Sequence, residues 1–491
     1  MSPSIKPFNE TKYKTLMGGL ECSEVLLSTT KERNNTFRID SHYFEKEYLK
    51  LNKKLKQFPH WYLKDIVSKP IQTGHTPSMK TDSFYGGEIA LIKTDNLHEN
   101  NIGQVFSDYL SSSGNALIAR TELQEDDIIT TIIGATEEVI ARSALVLPEH
   151  LPANINQNIA QIRVNKQIAL PEYINAYLNS KFGRMYLRYL SRQTEQVNLN
   201  CQEVGLTIIP KFTKLFQQNI KICTVKANEL QKHAEKLYIE SESVLLSTLG
   251  MTEFMPTEKA VTIKSFSKSF GSSGRLDAEY FQKKYDRYES IIKSRSEGWT
   301  TIREKFVHIK NKCDRTLPTY KYIEIGDINV GSGSASANEI EKRYLPDNAK
   351  IITSVGDVLV STVRPNRGAI AILDIDGCLV SGAFTVLREK SDYPKETLQV
   401  LLRSPIYRDW MLRFNVGTSY PVIKDDDVLN IPLPHISDAV NQQIAKKVRK
   451  SFELRHQSEQ LLKNTKHAVE MAIELDEDRA VQWLRENGGE C

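Results

Sequence analysis

Two long stretches of the sequence place apolar or small residues at alternating spacings of three and four. The first stretch, 215–249, carries Ile220, Cys223, Ala227, Leu230, Ala234, Leu237, Ser241 and Val244 in this pattern. The second carries Ser451, Leu454, Ser458, Leu461, Thr465, Ala468, Ala472 and Leu475. Such spacing predicts a long helix with a narrow seam along one side.

The residues before the first of these helices follow a different pattern. Short runs rich in β-branched residues are separated by Gly, Asn, Ser and Pro, and a helical stretch follows from Pro171 to Leu190. The runs are Glu88 to Ile92, Asp127 to Ile133, Ala144 to Leu147 and Ile159 to Val164. Short strands bounded by turn residues and followed by a helix predict an α+β domain.

The whole pattern occurs twice. The segment from Arg38 to Tyr48 recurs 237 residues later, from Arg275 to Tyr285. Further matches in the same order are Trp61 with Trp299, Leu91–Asp95 with Ile323–Asp327, Asp127–Thr131 with Asp357–Ser361, Pro171–Ser180 with Pro394–Ser404, Ile209–Pro210 with Ile431–Pro432, and Gln218–Ile220 with Gln442–Ile444. Collinear matches across most of each half indicate a tandem duplication.

The duplication predicts five segments and the way that the helices meet. The segments are 1–60, the first domain 61–214, a central helical spacer 215–255, the second domain 256–435 and a final helical spacer 436–491. Because both helices follow equivalent domains, pseudo-two-fold internal symmetry would pair them as an antiparallel coiled coil. The alternative is that each helix only covers its own domain, which predicts a wider apolar stripe.

Composition adds limits on the class of protein. A 40% hydrophobic and 26% charged composition is ordinary for a globular protein, and no apolar run approaches a membrane span or a signal peptide. We therefore expect a cytoplasmic protein. The net charge of +4 is too small to indicate nucleic-acid binding by itself. The six cysteines show no metal-ligand spacing, so we expect free thiols in a reducing compartment.

Several motifs resemble one known family, the specificity (S) subunits of type I restriction-modification systems. The motifs are Gly74-His75-Thr76-Pro77-Ser78, Tyr322–Ile328, Gly356–Asn366, Gly417–Pro421 and Ile431–Pro434, together with the helix after each domain. The resemblance extends from about Trp61 to Glu474. The first half departs from the pattern at Gly134-Ala135-Thr136 and at Gln196–Leu199, which fits domains that read different half-sites.

The resemblance implies two target recognition domains that bind a bipartite site in double-stranded DNA. It also implies a scaffold for two adenine-N6 methyltransferase subunits and for restriction motor-nuclease subunits, with no catalytic step and no cofactor. The sequence agrees, because it contains no Asn-Pro-Pro-Tyr or Asn-Pro-Pro-Phe tetrapeptide, no G-x-x-x-x-G-K-[ST] loop and no H-E-x-x-H metal motif. Two alternatives stay open: a recognition scaffold of another defence complex, and a nuclease acting alone.

The candidate DNA contacts are polar residues in the loops that differ between the two halves. Arginine and asparagine pair with guanine and adenine edges, and hydroxyl or lysine groups hold phosphates. In the first domain the candidates are Lys80, Thr81, Thr136, Arg142, Arg192, Gln193, Gln196 and Asn198. In the second domain they are Arg364, Asn366, Arg367, Thr418, Ser419, Tyr420 and Lys424. An ordinary surface position remains the alternative for each one.

The helix seam and the duplicated Arg-x-Asp motif complete the set of predictions. We expect the helix interface to contain Ile220, Leu230, Leu237, Val244, Leu454, Leu461 and Leu475. A helix of about 34 residues at about 1.5 Å per residue spans about 50 Å, or about 15 base pairs. The motif at Arg38 and Arg275 could dock a methyltransferase or a phosphate, but we favour a structural interpretation in which Asp40 and Asp277 cap a helix start.

Overall fold

The computed structural model describes residues 8–33, 38–103, 106–134, 139–192, 197–252, 261–390, 392–417 and 420–488. It divides into two compact units. Unit one is Met1–Asn228 with Ser458–Cys491, and unit two is Glu229–Gln457. Within the described residues, no helix is both long enough and apolar enough to cross a membrane.

The first half of the chain contains eight helices within the described residues. They are α1 (Glu10–Met17), α2 (Leu27–Arg33), α3 (Lys46–Leu55), α4 (Ser112–Leu117), α5 (Pro171–Asn179), α6 (Lys181–Leu190), α7 (Cys201–Gly205) and α8 (Lys214–Thr248). The strands are β1 (His60–Tyr62), β2 (Gln72–Thr73), β3 (Tyr85–Ile92), β4 (Leu97–His98), β5 (Asn101–Ile102), β6 (Tyr109–Leu110), β7 (Ile128–Thr131), β8 (Ile133–Gly134), β9 (Ser143–Leu145), β10 (Ala153–Ile155), β11 (Ile159–Ile162), β12 (Val197–Asn198) and β13 (Ile208–Pro210).

Residues 60–210, here called head one, are closed by the antiparallel pairing of β1 with β13. A four-stranded sheet has the order β2-β11-β7-β9, and a three-stranded sheet has the order β10-β3-β6. Ile128 packs with the helices, whereas the next residue, Ile129, packs with strands of the second sheet. Because successive side chains of a strand point to opposite faces, β7 is buried on both sides.

The second half repeats this arrangement. Its described helices are α9 (Phe270–Ser273), α10 (Lys283–Lys293), α11 (Ile302–Lys305), α12 (Lys395–Arg403), α13 (Pro405–Met411), α14 (Asp425–Leu429), α15 (Asp438–Glu474) and α16 (Glu477–Asn487). The strands are β14 (Trp299–Thr301), β15 (Phe306–Ile309), β16 (Thr319–Ile323), β17 (Ile328–Asn329), β18 (Ser334–Ala335), β19 (Asn338–Glu341), β20 (Ala349–Ile352), β21 (Val358–Ser361), β22 (Ile370–Ile372), β23 (Leu379–Ser381), β24 (Phe384–Glu389) and β25 (Pro432–Pro434).

Residues 299–434, here called head two, have the same construction. The pairing of β14 with β25 closes the head, and its two main sheets have the orders β15-β24-β21-β22 and β19-β16-β23-β20. Val358 packs with the helices and Leu359 with the core between strands, as Ile128 and Ile129 do in head one. The α+β class predicted from the sequence is therefore confirmed for both halves.

One buried ion pair recurs in the two heads. Asp127, just before β7, accepts two hydrogen bonds of 2.7 Å from the guanidinium of Arg163. Asp357, just before β21, accepts bonds of 2.7 and 2.8 Å from Arg388. Both carboxylates are buried. Bidentate pairing offsets the cost of removing a carboxylate from water, which explains why the acidic turn before this strand occurs in both copies.

The long helices pair in antiparallel fashion within each unit. In unit one, Ser458 Oγ donates to the carbonyl of Ala227 at 2.7 Å. Thr213, just before α8, donates to Glu477 at the start of α16, which follows α15. In unit two, Ser451 Oγ donates to the carbonyl of Ala234 at 2.7 Å, while Lys447 and Glu240 form an ion pair. As the residue number rises along α8, the number of its partner on α15 falls, so the predicted antiparallel pairing is confirmed.

The same helices also cover the heads. Phe216 and Ile220 of α8, with Ala468 and Ile473 of α15, belong to the core that contains Ile128 of head one. Tyr238, Leu245 and Leu249 of α8, with Ile444 and Val448 of α15, belong to the core of head two. The two sequence-based alternatives for the helices are thus not exclusive, because one face serves the seam and another serves the head. The five described cysteines are free thiols, as predicted.

Candidate nucleic-acid interface

Strand direction brings two loops of head one to one edge. Strands β2 and β7 both pair antiparallel with β11, with Thr73 opposite Ala160 and Thr131 opposite Ile159. They therefore run in the same direction, and the loops that follow them, 74–81 and 132–142, leave the sheet at the same edge. Gly74 begins the first loop where a Cβ would lie 1.7 Å from the carbonyl oxygen of Ile155, so only glycine fits.

A third loop, 191–199, joins this edge. Asn198 pairs with Ile133, and Val197 pairs with Gly134, so β12 binds the start of the second loop. Within the third loop, Arg192 and Asn198 exchange backbone hydrogen bonds. We call the edge that carries these three loops the loop edge of head one.

Head two has a loop edge made in the same way. Strands β15 and β21 both pair antiparallel with β24, and their ends lie near Val386 and Phe384. The first and second loops, 310–318 and 362–369, therefore leave the sheet together. The third loop, 415–424, is joined by the pairing of Val363 with Val422. This equivalence places the variable loops of both heads on matching frameworks.

Arg364 and Tyr420 meet at the loop edge of head two. The guanidinium carbon of Arg364 lies 5.4 Å from the centre of the Tyr420 ring, a cation–π contact. The backbone of Arg364 is left-handed, with φ of 51°, and its N–H donates to the carbonyl of Pro421 at 2.7 Å. Left-handed backbone is uncommon for a residue with a side chain. Both side chains are exposed, which leaves their polar groups available to a ligand.

The other described candidates of head two are exposed. Asn366 and Arg367 lie on the short turn that follows Arg364, and Lys424 lies just before α14. Three carboxylates follow Lys424 directly, at Asp425, Asp426 and Asp427. Their charge lowers the local positive potential, so Lys424 is the weakest phosphate candidate of this loop. Thr418 and Ser419 lie outside the described residues.

In head one the candidates differ in how much of their bonding capacity is used. Lys80 and Asn198 are exposed, whereas Thr81 and Arg142 are half-buried. Arg192 Nε donates to Glu203 Oε1 at 2.9 Å, so its guanidinium already has an acidic partner. Thr136, Gln193 and Gln196 lie outside the described residues. DNA contact by these residues stays a prediction.

The predicted helix-interface residues are placed unequally. Ile220, Leu454 and Leu461 are buried, and Leu230, Leu237 and Val244 are half-buried. Leu475 is 57% exposed and lies one residue beyond the end of α15 at Glu474. A place for Leu475 in the helix interface therefore stays a prediction.

The Arg-x-Asp motif is part of the framework. Asp40 Oδ1 accepts the backbone N–H of Tyr43, and Asp277 Oδ2 accepts that of Tyr280, each at 3.2 Å. The hydrogen bonds from Arg38 hold the pKa of Asp40 below its usual value, and those from Arg275 do the same for Asp277. Each aspartate therefore closes a short turn ahead of the helix. The N-caps of α3 and α10 are Glu45 and Gln282, without a side-chain cap bond, so the prediction that Asp40 and Asp277 cap a helix start is wrong.

Sequence reasoning missed what else these arginines bind. Arg38 donates to the carbonyls of Leu190 and Ser191 at 2.6 and 2.8 Å, and Arg275 donates to the carbonyl of Asn415 at 2.7 Å. These carbonyls stand where the third loop of each head begins. No local pattern could reveal a partner more than 130 residues away.

A second pair of arginines lies against the second loops. Arg184 forms an ion pair with Glu99 and donates to the carbonyl of Ile140 at 3.4 Å. Arg408 packs against Gly368, where an added Cβ would lie 2.9 Å from its Cδ. Burial lowers the pKa of both guanidinium groups. The two arginines are 224 residues apart, the same offset as the helix seams, so the duplication itself was the signal that could have found them.

Comparison with known proteins supplies an independent observation. No family model matches the chain. Over 278 residues the chain is 26% identical to the type I restriction enzyme MjaVIII specificity subunit of Methanocaldococcus jannaschii. The chain is similar in sequence to a type I specificity subunit. This match confirms the resemblance that the motifs indicated. It covers 53% of the chain and 62% of that protein, so the chain spans less than two thirds of the relative's length.

Solved structures of S subunits are also found. The HsdS subunit from Thermoanaerobacter tengcongensis has 15% sequence identity and a TM-score of 0.27, covering 87% of this chain and 96% of that one. The type I S subunit from M. genitalium has 12% identity and a TM-score of 0.36, covering 87% and 96%.

Proposed function

We propose that this chain selects the DNA sequence on which a type I restriction-modification complex acts. Each head reads one half of a bipartite target in double-stranded DNA, and the base pairs between the halves are not read. The chain has no catalytic step. It holds two adenine-N6 methyltransferase subunits and recruits restriction motor-nuclease subunits in the cytoplasm.

One observation carries this proposal: the same loop edge is built twice, on the same strand pairings, from different side chains. At the same position, the second loop carries Ile133-Gly134 in head one and Val363-Arg364 in head two, although the strands before and beside it correspond. A shared framework fixes where a loop meets the DNA, while its side chains decide which bases it accepts. Two such edges suit a target with two different halves.

The choice of exposed side chains supports a polar ligand. Arg364, Asn366 and Arg367 present guanidinium and amide groups, which make paired hydrogen bonds to guanine and adenine edges in the major groove. Tyr420 adds an exposed aromatic face beside Arg364. Phosphate contacts elsewhere would orient the head, and these groups would discriminate between bases.

Exchange of one head tests the proposal. Residues 61–214 are replaced by the equivalent segment of another S subunit, and the chain is expressed with its methyltransferase in a strain that lacks other adenine methylation. Methylome sequencing is expected to show one changed half-site, one retained half-site and the original gap. Exchange of residues 256–435 is the matched control and should change the other half-site only.

Two results would contradict the proposal. The first is a methylated motif that stays the same in both halves after the exchange. The second is cleavage or nicking of plasmid DNA by the purified chain with metal ions and no partner, because a specificity subunit leaves the chemistry to other subunits.

A further inference from the structure

Head two contains a basic cleft that the candidate DNA contacts do not include. Its volume is about 320 Å³, and it is lined by Lys312, Cys313, Arg315, Asp347 and Lys350. Three cations therefore face one carboxylate. Such an excess of positive charge in a concave site favours an anion.

The cleft is held in shape by Arg315. Its Nη2 donates to the carbonyls of Pro346, Asp347 and Ala349 at 2.9, 3.2 and 2.6 Å. The backbone of Arg315 is left-handed, with φ of 48°. Among the described residues, the only arginines with left-handed backbone are Arg315 and Arg364. One guanidinium thus fixes the opposite wall of the cleft while contributing its charge.

The two lysines are fixed at the backbone and left without an acidic partner. Lys312 pairs with Ile351, and the N–H of Cys313 donates to the carbonyl of Lys350 at 3.2 Å. Neither lysine forms an ion pair with any residue that the structure describes. Other lysines of the same head do, such as Lys305 with Asp392. Because both lysines line the same cleft, an anion bound there would be attracted by both ammonium groups.

Backbone hydrogen bonds connect the cleft to the loop edge of head two. Asn348, beside Asp347, accepts from the N–H of Gly382 at 2.9 Å. The adjacent Ala383 accepts from the N–H of Thr362 at 2.8 Å, at the start of the loop that carries Arg364. Lys312 and Arg315 themselves lie on the first loop, 310–318. The cleft therefore belongs to the same edge as Arg364.

The position of this loop also matches a candidate in head one. The loop 310–318 follows β15, an edge strand whose neighbour β24 also pairs with β21. The loop 74–81 follows β2, an edge strand whose neighbour β11 also pairs with β7. The two loops therefore hold equivalent positions. Lys80 and Thr81 are the polar candidates of the loop in head one. The duplication thus supplies an equivalent position in head two, where the sequence alone singled out no residue.

We propose that the cleft formed by Lys312, Arg315 and Lys350 binds a backbone phosphate of the DNA that head two reads. This inference rests on the proposed function. Ammonium and guanidinium groups bind phosphate oxygens by charge and hydrogen bonds without regard to the base. The cleft positions the head on the duplex, and Arg364 on the neighbouring loop meets the bases.

The salt dependence of DNA binding distinguishes a phosphate contact in the cleft from a general effect of the protein's positive charge. The double variant Lys312→Gln, Lys350→Gln removes both ammonium groups and keeps Arg315, which holds the cleft walls. The matched control is Lys232→Gln, Lys236→Gln on α8, which removes the same charge from exposed positions of unit two. The full chain of each variant is titrated with one labelled duplex at several salt concentrations, and the melting temperature checks folding.

The logarithm of the DNA-binding constant K falls linearly with the logarithm of the salt concentration. Loss of one phosphate contact makes this slope shallower by about 0.9. The cleft variant is expected to show this smaller slope with every duplex sequence, whereas the control keeps the slope of the unmodified chain. Equal slopes for the cleft variant and the control would overturn the inference while leaving the proposed function intact. Failure of the unmodified chain to bind any duplex would overturn both.

Discussion

Arg38 holds Asp40 through two hydrogen bonds of 2.8 and 2.9 Å, and the same guanidinium donates to the main chain at Leu190 and Ser191. One side chain thereby joins the entry of the first repeat to the end of α6. The third loop of head one begins at that point. The copy at Arg275 and Asp277 makes the same carboxylate contact and reaches Asn415. The duplicated motif thus anchors a loop in each head.

Replacing Arg38 with alanine should destabilise head one more than the equivalent change destabilises head two. Arg38 is 7% exposed and donates to two carbonyls, so its loss leaves buried acceptors unpaired at a cost of about 1–3 kcal/mol. The side chain of Arg275 is 23% exposed and binds one carbonyl, so Arg275→Ala should cost less. Urea denaturation measures both. Equal midpoints for Arg38→Ala and the unmodified chain would contradict the prediction.

Acid should remove the contribution of the Asp40 carboxylate to the stability of the fold. Its folded-state pKa is lowered from 3.8 by the hydrogen bonds from Arg38, so the carboxylate stabilises the fold above pH 3.8 and this stability is lost as the pH falls through the folded pKa. The difference in unfolding free energy between the unmodified chain and Asp40→Asn should be constant from pH 7 to pH 5 and should shrink below about pH 4. Urea titrations across this range measure it. A difference in unfolding free energy that grows in acid would contradict the prediction.

Arg364→Ala should relax base choice at one position of one half-site. A bidentate arginine–guanine contact provides about 1–3 kcal/mol of discrimination, so we expect about 10- to 100-fold less preference there. Tyr420→Phe keeps the aromatic face that contacts Arg364 and serves as the control. Methylome sequencing with each variant reads the outcome. An unchanged motif with Arg364→Ala would remove this residue from the base contacts.

The helix seam should tolerate alanine but not leucine at Ser451. The hydroxyl of Ser451 donates to the carbonyl of Ala234 at 2.7 Å, and the side chain is buried. Ser451→Ala loses one hydrogen bond, about 1 kcal/mol, whereas Ser451→Leu also inserts carbon atoms where two helices approach closely, at an added cost of about 1–3 kcal/mol. Thermal melting should rank the variants in this order. Equal melting temperatures would show that the helices are not in close contact there.

Removal of one heptad from each helix should shorten the gap between the half-sites. Deleting residues 228–234 and 451–457 leaves Ala227 and Ser458 in place and keeps the seven-residue repeat in register. Seven residues at about 1.5 Å correspond to about 3 base pairs. Methylome sequencing should report the same half-sites with the shorter gap. A changed half-site with an unchanged gap would contradict a spacer role.

Several features could be predicted because their signals are local or repeated. The spacing of Ala227, Ala234, Ser451 and Ser458 gave the helix seam, since a helix brings every third or fourth residue to one side. Leu475 shows the limit of that reasoning: its spacing continues the pattern, but the helix ends one residue earlier. Helix termini depend on nearby contacts as well as on periodicity, so sequence spacing does not fix them.

The sequence by itself determined that the chain is duplicated, that each copy is an α+β domain with a paired helix, and that loops differ where frameworks agree. Only the tertiary structure decided which loops share an edge, that Arg38 reaches Leu190, and that Lys312 and Lys350 line one cleft. The physical reason is the separation along the chain over which each kind of interaction acts. Periodicity and turn residues act over a few positions, whereas these contacts depend on strand direction and packing between residues far apart in the chain.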